Sequence, residues 1–200
     1  MKLDYGIFDD AFRNVVVTPA ELQEIMPHCG VSRARTYAHP LAEAMKDWHI
    51  NNPRRAAGFL ANIAHESGSL HYVREIADGK KYEGRRDLGN TEPGDGERYR
   101  GRGLIQITGR ANMRLCSIAL FNDPDLLLAC PEKLEEPVYA ASSAGWFWKW
   151  KGLNDYMDSG DFRGACSIIN TGRPDTPPSR INGWDERLAF YHRACKVLEC

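Results

Sequence analysis

Residues 53–69 read PRRAAGFLANIAHESGS, and the reading of this stretch decides the fold. Pro53 suits the first turn of a helix, where its missing N–H has no partner to lose, and Gly68 can end one. A helix is therefore expected from Pro53 to about Ser67. Phe59, Ile63 and Glu66 fall at i, i+4 and i+7, which carries a carboxylate along the stripe that the apolar residues bury. Such a carboxylate is poorly placed for stability. Apolar surroundings and the partial negative charge of the helix C-terminus both disfavour its charged form, so Glu66 is expected to hold a proton that it can give to a leaving oxygen. The competing expectation is a plain helix-end pairing with an arginine or with His65. The adjoining HES is no zinc motif, because Ser69 stands four residues after His65, and no metal is expected.

Helical signals extend to both sides. Thr18, Pro19 and Glu21 supply a cap, a first-turn proline and a capping-box acid ahead of Leu22, Ile25 and Met26, with Gly30 as the stop. A second helix is expected from near Pro40 with Leu41, Ala44, Met45 and Trp48. Further helices are expected from Asp123-Pro124, from Pro137 to Gly152, and from about Asp185 with Leu188, Tyr191, Cys195 and Leu198 as the buried stripe. Residues 78–103 differ, since seven glycines, one proline and many charges favour turns and short hairpins over helix. An irregular segment of that length is more often a binding wall than a connection.

Two hundred residues with 42% hydrophobic and 10% aromatic content make one packed domain, 1–200, with its core at about 16–198. Lys plus Arg number 26 against 27 acids, a formal charge of -1, so the balance that drives non-specific nucleic-acid binding is absent. No nucleic-acid partner is expected. The opening MKLDYGIFDDAF lacks a signal-peptide core and no apolar run approaches a membrane span, so the chain is expected to be cytoplasmic at synthesis, without stable membrane insertion. Six scattered cysteines without a CxxC pair are expected to be small buried hydrophobes plus an exposed one at the C-terminus.

Residues 98–110, RYRGRGLIQITGR, fit neither a P-loop nor a repeated RNA-binding tract. Gly101 and Gly103 permit close backbone approach, Arg100 and Arg102 can pair carboxylates, and Gln106 and Thr108, two apart on an extended segment, would share one face. This is how the floor of a polysaccharide cleft can be built.

AHESGS, GDGERYRGRGLIQITGRAN, ASSAGWFW, GLNDYMDSGDF, IINTG and DERLAFY follow in this order over residues 16–198. The series resembles the glycoside hydrolase family 19 chitinases and, most closely, their lysozyme-like relatives among bacteriophage endolysins. The resemblance implies an α+β, mainly α, two-lobed lysozyme-like fold with a deep groove and a small irregular or β insert. It implies hydrolysis of β-1,4 links between N-acetylated aminosugars by a monomer that needs no cofactor. Glu66 falls on the family's general acid and Thr108 on a residue that holds the attacking water. Gln106, Asn112 and Asn170 fall on polar groove positions and Arg187 on an arginine near the catalytic centre, while His65, Tyr99 and Arg102 complete the expected sugar-binding set. Glu83 is the best match to the general base, with Glu92, Asp95 and Glu97 as rivals. Inversion would place the base roughly 6.5–9.5 Å from the acid.

Departures from the family bear on substrate. Ala111 and Met113 stand where tyrosines are usual, Thr171 replaces a glycine, and RPDTPPSRINGWD is longer and proline-rich. The leading expectation is an endolysin cutting the peptidoglycan backbone, released by a holin-type partner. A chitinase comes second, and an inactive glycan-binding module third.

Overall fold

The computed structural model describes residues 15–200, so the reading of residues 1–12 as lacking a leader lies outside the described residues. Among the described residues ten α-helices account for most of the structure. Among the described residues no strand forms, and no helix is long and apolar enough to cross a membrane. The expected β insert is therefore corrected. Its only remnants are the single antiparallel bridges Arg74–Arg102 and Arg102–Ile107, and residues 78–103 fold as two 3-10 turns, Lys80–Tyr82 and Arg86–Leu88, and the one-turn helix α4, Asp95–Arg98. Seven glycines break any ladder before it can lengthen, and several of them adopt left-handed φ there.

Helix α1, Pro19–Ile25, starts with the complete capping box of Thr18 and Glu21. Helix α2 runs Gly30–Asp47, so Gly30 opens a helix rather than closing one, and Pro40 lies inside it. An interior proline costs about 3 kcal/mol. The buried face of Ala34, Tyr37, Ala38, Leu41, Ala44 and Met45 offsets that cost, each fully buried apolar side chain of Leu or Met size contributing about 1.5–3 kcal/mol.

Helix α3, Pro53–Glu66, is capped by Asn52 and buried along nearly its whole length after the first turn. Helix α5, Arg110–Phe121, was not apparent in the sequence, because it buries Ser117 with Met113 and Cys116 while Leu115 and Ile118 face solvent, which erases its periodicity. It ends at left-handed Asn122, and Asp123-Pro124 lie in the bend that follows, ahead of the short α6, Leu126–Ala129.

Helix α7, Pro137–Trp150, begins and ends as the sequence predicts. Its Gly145 meets the Trp48 ring that follows α2, where a Cβ would stand 2.4 Å from Cδ1. Trp148 is fully buried and packs edge-on against Phe59 of α3 at 5.5 Å. Helices α8, Leu153–Asp158, and α9, Phe162–Thr171, lead to α10, Trp184–Leu198, which packs along α3. The deepest stripe of α10 is Arg187, Phe190 and Ala194, with the expected Leu188, Tyr191, Cys195 and Leu198 half-buried beside it. The chain thus places a charged residue at the centre of a helix–helix contact. Cys29, Cys116 and Cys166 are buried, Cys195 is half-buried, and Cys130 is exposed together with Cys200.

Candidate active site

The α3–α10 contact explains that buried charge. The Arg187 guanidinium is fully buried, and three of its nitrogens are engaged. Nη2 donates to Oε1 of Glu66, Nη1 to Oδ1 of Asn62 at 2.7 Å, and Nε to the Asn182 carbonyl at 3.1 Å. Asn62 is itself buried and donates to the Gly58 carbonyl one turn back, so its oxygen is presented to the arginine in a fixed orientation. Glu66 is one-fifth exposed at the last position of α3, and among the described residues its hydrogen bonding is confined to Oε1. Among the described residues Oε2 accepts no hydrogen bond. Glu66 is therefore not the isolated carboxylate that the apolar stripe implied, because an arginine sits in the same stripe of the facing helix.

His65 lies one residue earlier and does not pair with Glu66. Its Nδ1 is 2.5 Å from Oε2 of Glu186, and its ring covers Gly183, where a Cβ would fall 1.9 Å from the imidazole. Consecutive residues 65 and 66 of α3 thus engage consecutive residues 186 and 187 of α10.

Immediately after Glu66 the chain reverses through Gly68, Ser69 and Leu70, all at φ between +56° and +67°. Ser69 and Leu70 carry side chains in a left-handed conformation that costs on the order of 1–3 kcal/mol each. Ser67 holds the reversal, its hydroxyl donating to the Ile63 carbonyl and accepting from the Leu70 amide. Beyond it in the chain comes Glu75. Glu75 donates its amide to the Gly101 carbonyl at 2.8 Å, and its Oε2 accepts from the Gly101 amide at 3.2 Å. Its Oε1 lies 2.8 Å from the Lys81 ammonium and 3.2 Å from the Tyr82 hydroxyl.

Gly101 links this carboxylate to the polar positions expected on the floor. A Cβ there would stand 2.6 Å from Oε1 of Gln106 and 3.3 Å from Oγ1 of Thr108. The two side chains do share one side, but not through an extended segment. Residues 103–106 form a tight turn closed by Arg102 and Ile107, with Gln106 at φ +59°. Thr108 donates to the Gln106 carbonyl, and Asn112 donates to the Thr108 carbonyl at 2.8 Å. Asn170, at the end of α9, accepts from the Asn182 amide and so fixes the loop that also carries the Arg187 contact.

Several expected site residues serve other ends. Glu83 is exposed, and its two oxygens accept from the Gly94 and Gly96 amides at 2.7 and 2.8 Å, which clamps the insert onto α4. Asp95 is buried and pairs with Arg110 through two bonds, and Arg110 together with the Thr91 and Glu92 amides holds its carboxyl below the usual range against the opposing effect of burial. Glu92 and Glu97 are exposed. Tyr99 is buried, with its hydroxyl donating to the Leu128 carbonyl and Arg110 over its ring. Arg102 is also buried and pairs with Glu135. A cavity of about 810 Å³ lined by Asp95, Tyr99, Arg110 and Leu128 contains neither Glu66 nor Glu75.

Two residues of this site escaped the sequence reading. For Glu75 the signal is a carboxylate nine residues after Glu66, just before the glycine-rich insert that holds the expected acids. Asn62 was readable as the i−4 neighbour of Glu66 on the same helical face.

No family model matches the chain. Curated relatives and solved structures do. An endochitinase of Arabidopsis thaliana is 32% identical over 154 residues, which cover 72% of this chain and 48% of that protein. A glycosyl hydrolase family 19 domain-containing protein of Haemophilus influenzae is 27% identical over 219 residues, covering 92% of this chain and 98% of its own length. The chain spans about half the length or less of the plant proteins that head this group. In three dimensions, chitinase C from Streptomyces griseus superposes with a TM-score of 0.71 at 22% identity, over 92% of this chain and 93% of that one. A class IV chitinase from Zea mays gives 0.68 at 23% identity, over the same 92% of this chain and 93% of its own. These likenesses establish the mainly helical, two-lobed lysozyme-like fold.

Proposed function

Because the chain belongs to glycoside hydrolase family 19, we propose that it hydrolyses β-1,4 bonds in polymers of N-acetylated aminosugars, with Glu66 as general acid and water as nucleophile. The observation that carries this reading is the Arg187–Glu66 pair. A fully buried guanidinium holds one oxygen of a half-buried carboxylate at a helix end and leaves the other oxygen free. Desolvating an arginine is costly, and an ion pair required only for packing could be exchanged, both partners together, for apolar side chains at little cost.

In the proposed reaction the proton on Glu66 passes to the bridging oxygen as the bond to the anomeric carbon breaks. Water adds to that carbon from the opposite face and gives its proton to the second carboxylate. Glu75 is the best candidate for that second role. It is only 16% exposed, it is bonded to Gly101, and Gly101 abuts Gln106 and Thr108, whereas Glu83 is committed to backbone amides of the insert. Each carboxylate oxygen can accept more than one hydrogen bond, so Glu75 retains capacity for a water. Thr108, with its hydroxyl beside Gly101, is suited to hold the same water.

The names of the relatives support chitin as the polymer. Peptidoglycan is the second reading, favoured by Ala111 and Met113 in place of stacking tyrosines, and it carries with it the endolysin role and a holin-type release partner. Soluble sugar released from colloidal chitin, measured beside clearing of purified sacculi, tests both. Hydrolysis of either polymer that disappears in Glu66→Gln upholds the hydrolase reading, and the faster substrate identifies the polymer. Turnover of neither by the unsubstituted protein contradicts it.

A further inference from the structure

Helix α10 ends in a cap whose side chains the site above does not use. Its last residue is Leu198, Glu199 follows at φ +57°, and the amides of Glu199 and Cys200 both donate to the Cys195 carbonyl, that of Cys200 at 3.0 Å. A bond from the residue after the left-handed position back to the helix, six residues to one, is the mark of a Schellman cap, in which the side chains at those two ends meet. Here the two ends are Cys200 and Cys195. Glycine is the usual residue at the left-handed position, and Glu199 lacks its freedom, so the contact across the cap helps to hold it closed.

That contact is made by two thiols. Sγ of Cys200 lies 2.9 Å from Sγ of Cys195, and both cysteines are free. The backbone bond already brings the two residues together, so joining them needs no rearrangement of the chain. Cys200 is exposed and Cys195 half-buried, whereas Cys29, Cys116 and Cys166 are buried and Cys130 is exposed elsewhere. A small reagent has room to reach the pair, because a cavity of about 310 Å³ beside it is lined by Cys200, Glu199, Asp158 and residues 52–54 at the start of α3. Although the Cys200 residue as a whole is exposed, partial desolvation of its sulfur, and next the Cys195 thiol, push that thiol up to about 12. Little thiolate forms near neutral pH, which makes exchange slow without changing its end point.

We propose that Cys195 and Cys200 are a thiol-modification site, at which exchange with a low-molecular-weight disulfide closes an intrachain disulfide across the C-terminal cap of α10. One thiol loses its proton, its thiolate attacks a sulfur of the external disulfide, and one external thiolate leaves. The second protein thiol loses its proton and displaces the other external thiolate. The protein gives up two electrons, the external disulfide takes them, and the two protons end on the two external thiols. The cap lies by the start of α3, and the opposite end of α10 holds Glu66 through Arg187, so the bond fixes the far end of the helix pair that carries the proposed acid.

The test incubates the folded chain with oxidised glutathione at mildly alkaline pH, beside Cys200→Ser and Cys195→Ser, and follows free thiols, tryptic peptides and melting temperature. The expected result is loss of two thiols from the pair, with peptides 194–196 and 197–200 recovered as one linked species that dithiothreitol separates. Closing so short a loop should raise the melting temperature by about 5 °C. Neither serine variant should give the linked species or the rise. Glutathione retained on Cys195 or Cys200 without linkage, a bond from either to Cys130, or a linked chain that melts no higher than the reduced one overturns the proposal.

Discussion

The two walls of the proposed site are built by different means. The first is two packed helices, α3 and α10, in which Glu66 is fixed by Arg187, Asn62 and the burial of a whole interface. The second, residues 71–109, has no ladder of its own, and Glu75 is placed by bonds to single backbone amides and to exposed partners such as Lys81. Position on the first wall is a consequence of stability. On the second it depends on local contacts that can change one at a time. A reaction needing one group held and a water exchanged at the other is well served by that asymmetry.

The comparison can be broken most sharply by removing the acid. Glu66→Gln keeps an acceptor for Arg187, so turnover should fall by about 1,000-fold with little change in melting temperature. Glu75→Gln should cost about 100-fold and Glu83→Gln less than about threefold; equal losses at 75 and 83 would erase the distinction between them. Arg187→Met tests whether the first wall is stability and catalysis at once. It leaves Oδ1 of Asn62 and Oε1 of Glu66 without their donor at a buried interface, and urea denaturation should show a loss of about 3 kcal/mol. Gly183→Ala drives a methyl into the His65 ring at a φ of +67°, and a loss of about 2 kcal/mol is expected from the same measurement.

A smaller effect separates the walls by pH. Asp95 is held below the usual carboxylate range in the folded chain, so the folded state binds fewer protons than the unfolded one as pH falls through about 4. The stability contributed by its pairing with Arg110 is present above that range and is lost on acidification toward the folded value. Stability curves from pH 7 to pH 3 should therefore fall less steeply for Asp95→Asn than for the unsubstituted protein, and parallel curves would remove Asp95 from the account.

These two walls were unequally legible. The helix around Glu66 could be read from Pro53, the apolar stripe and Gly68, because helical periodicity and end residues are local properties. Arg187 was placed by resemblance alone; periodicity assigned the buried stripe of α10 to Leu188 and Tyr191, since it treats a charged residue as solvent-facing, and the compensation for burying it comes from another helix. Residues 78–103 were recognisable as irregular but not as one-turn helices, and the resemblance pointed to Glu83, with Glu92, Asp95 and Glu97 beside it, because turn chemistry says nothing about which carboxylate meets Gly101. Tyr99 and Arg102 are buried, and the glycines around them leave no periodic pattern from which that burial could be read.

The most direct measurement is the anomeric form of the first product, followed by proton NMR as chitohexaose is hydrolysed. Proton delivery by Glu66 with water activated by a separate carboxylate predicts that the new reducing end appears first as the α-anomer and mutarotates afterward. A β-anomer in the earliest spectra would mean that a carboxylate attacks the sugar directly, and would contradict the account.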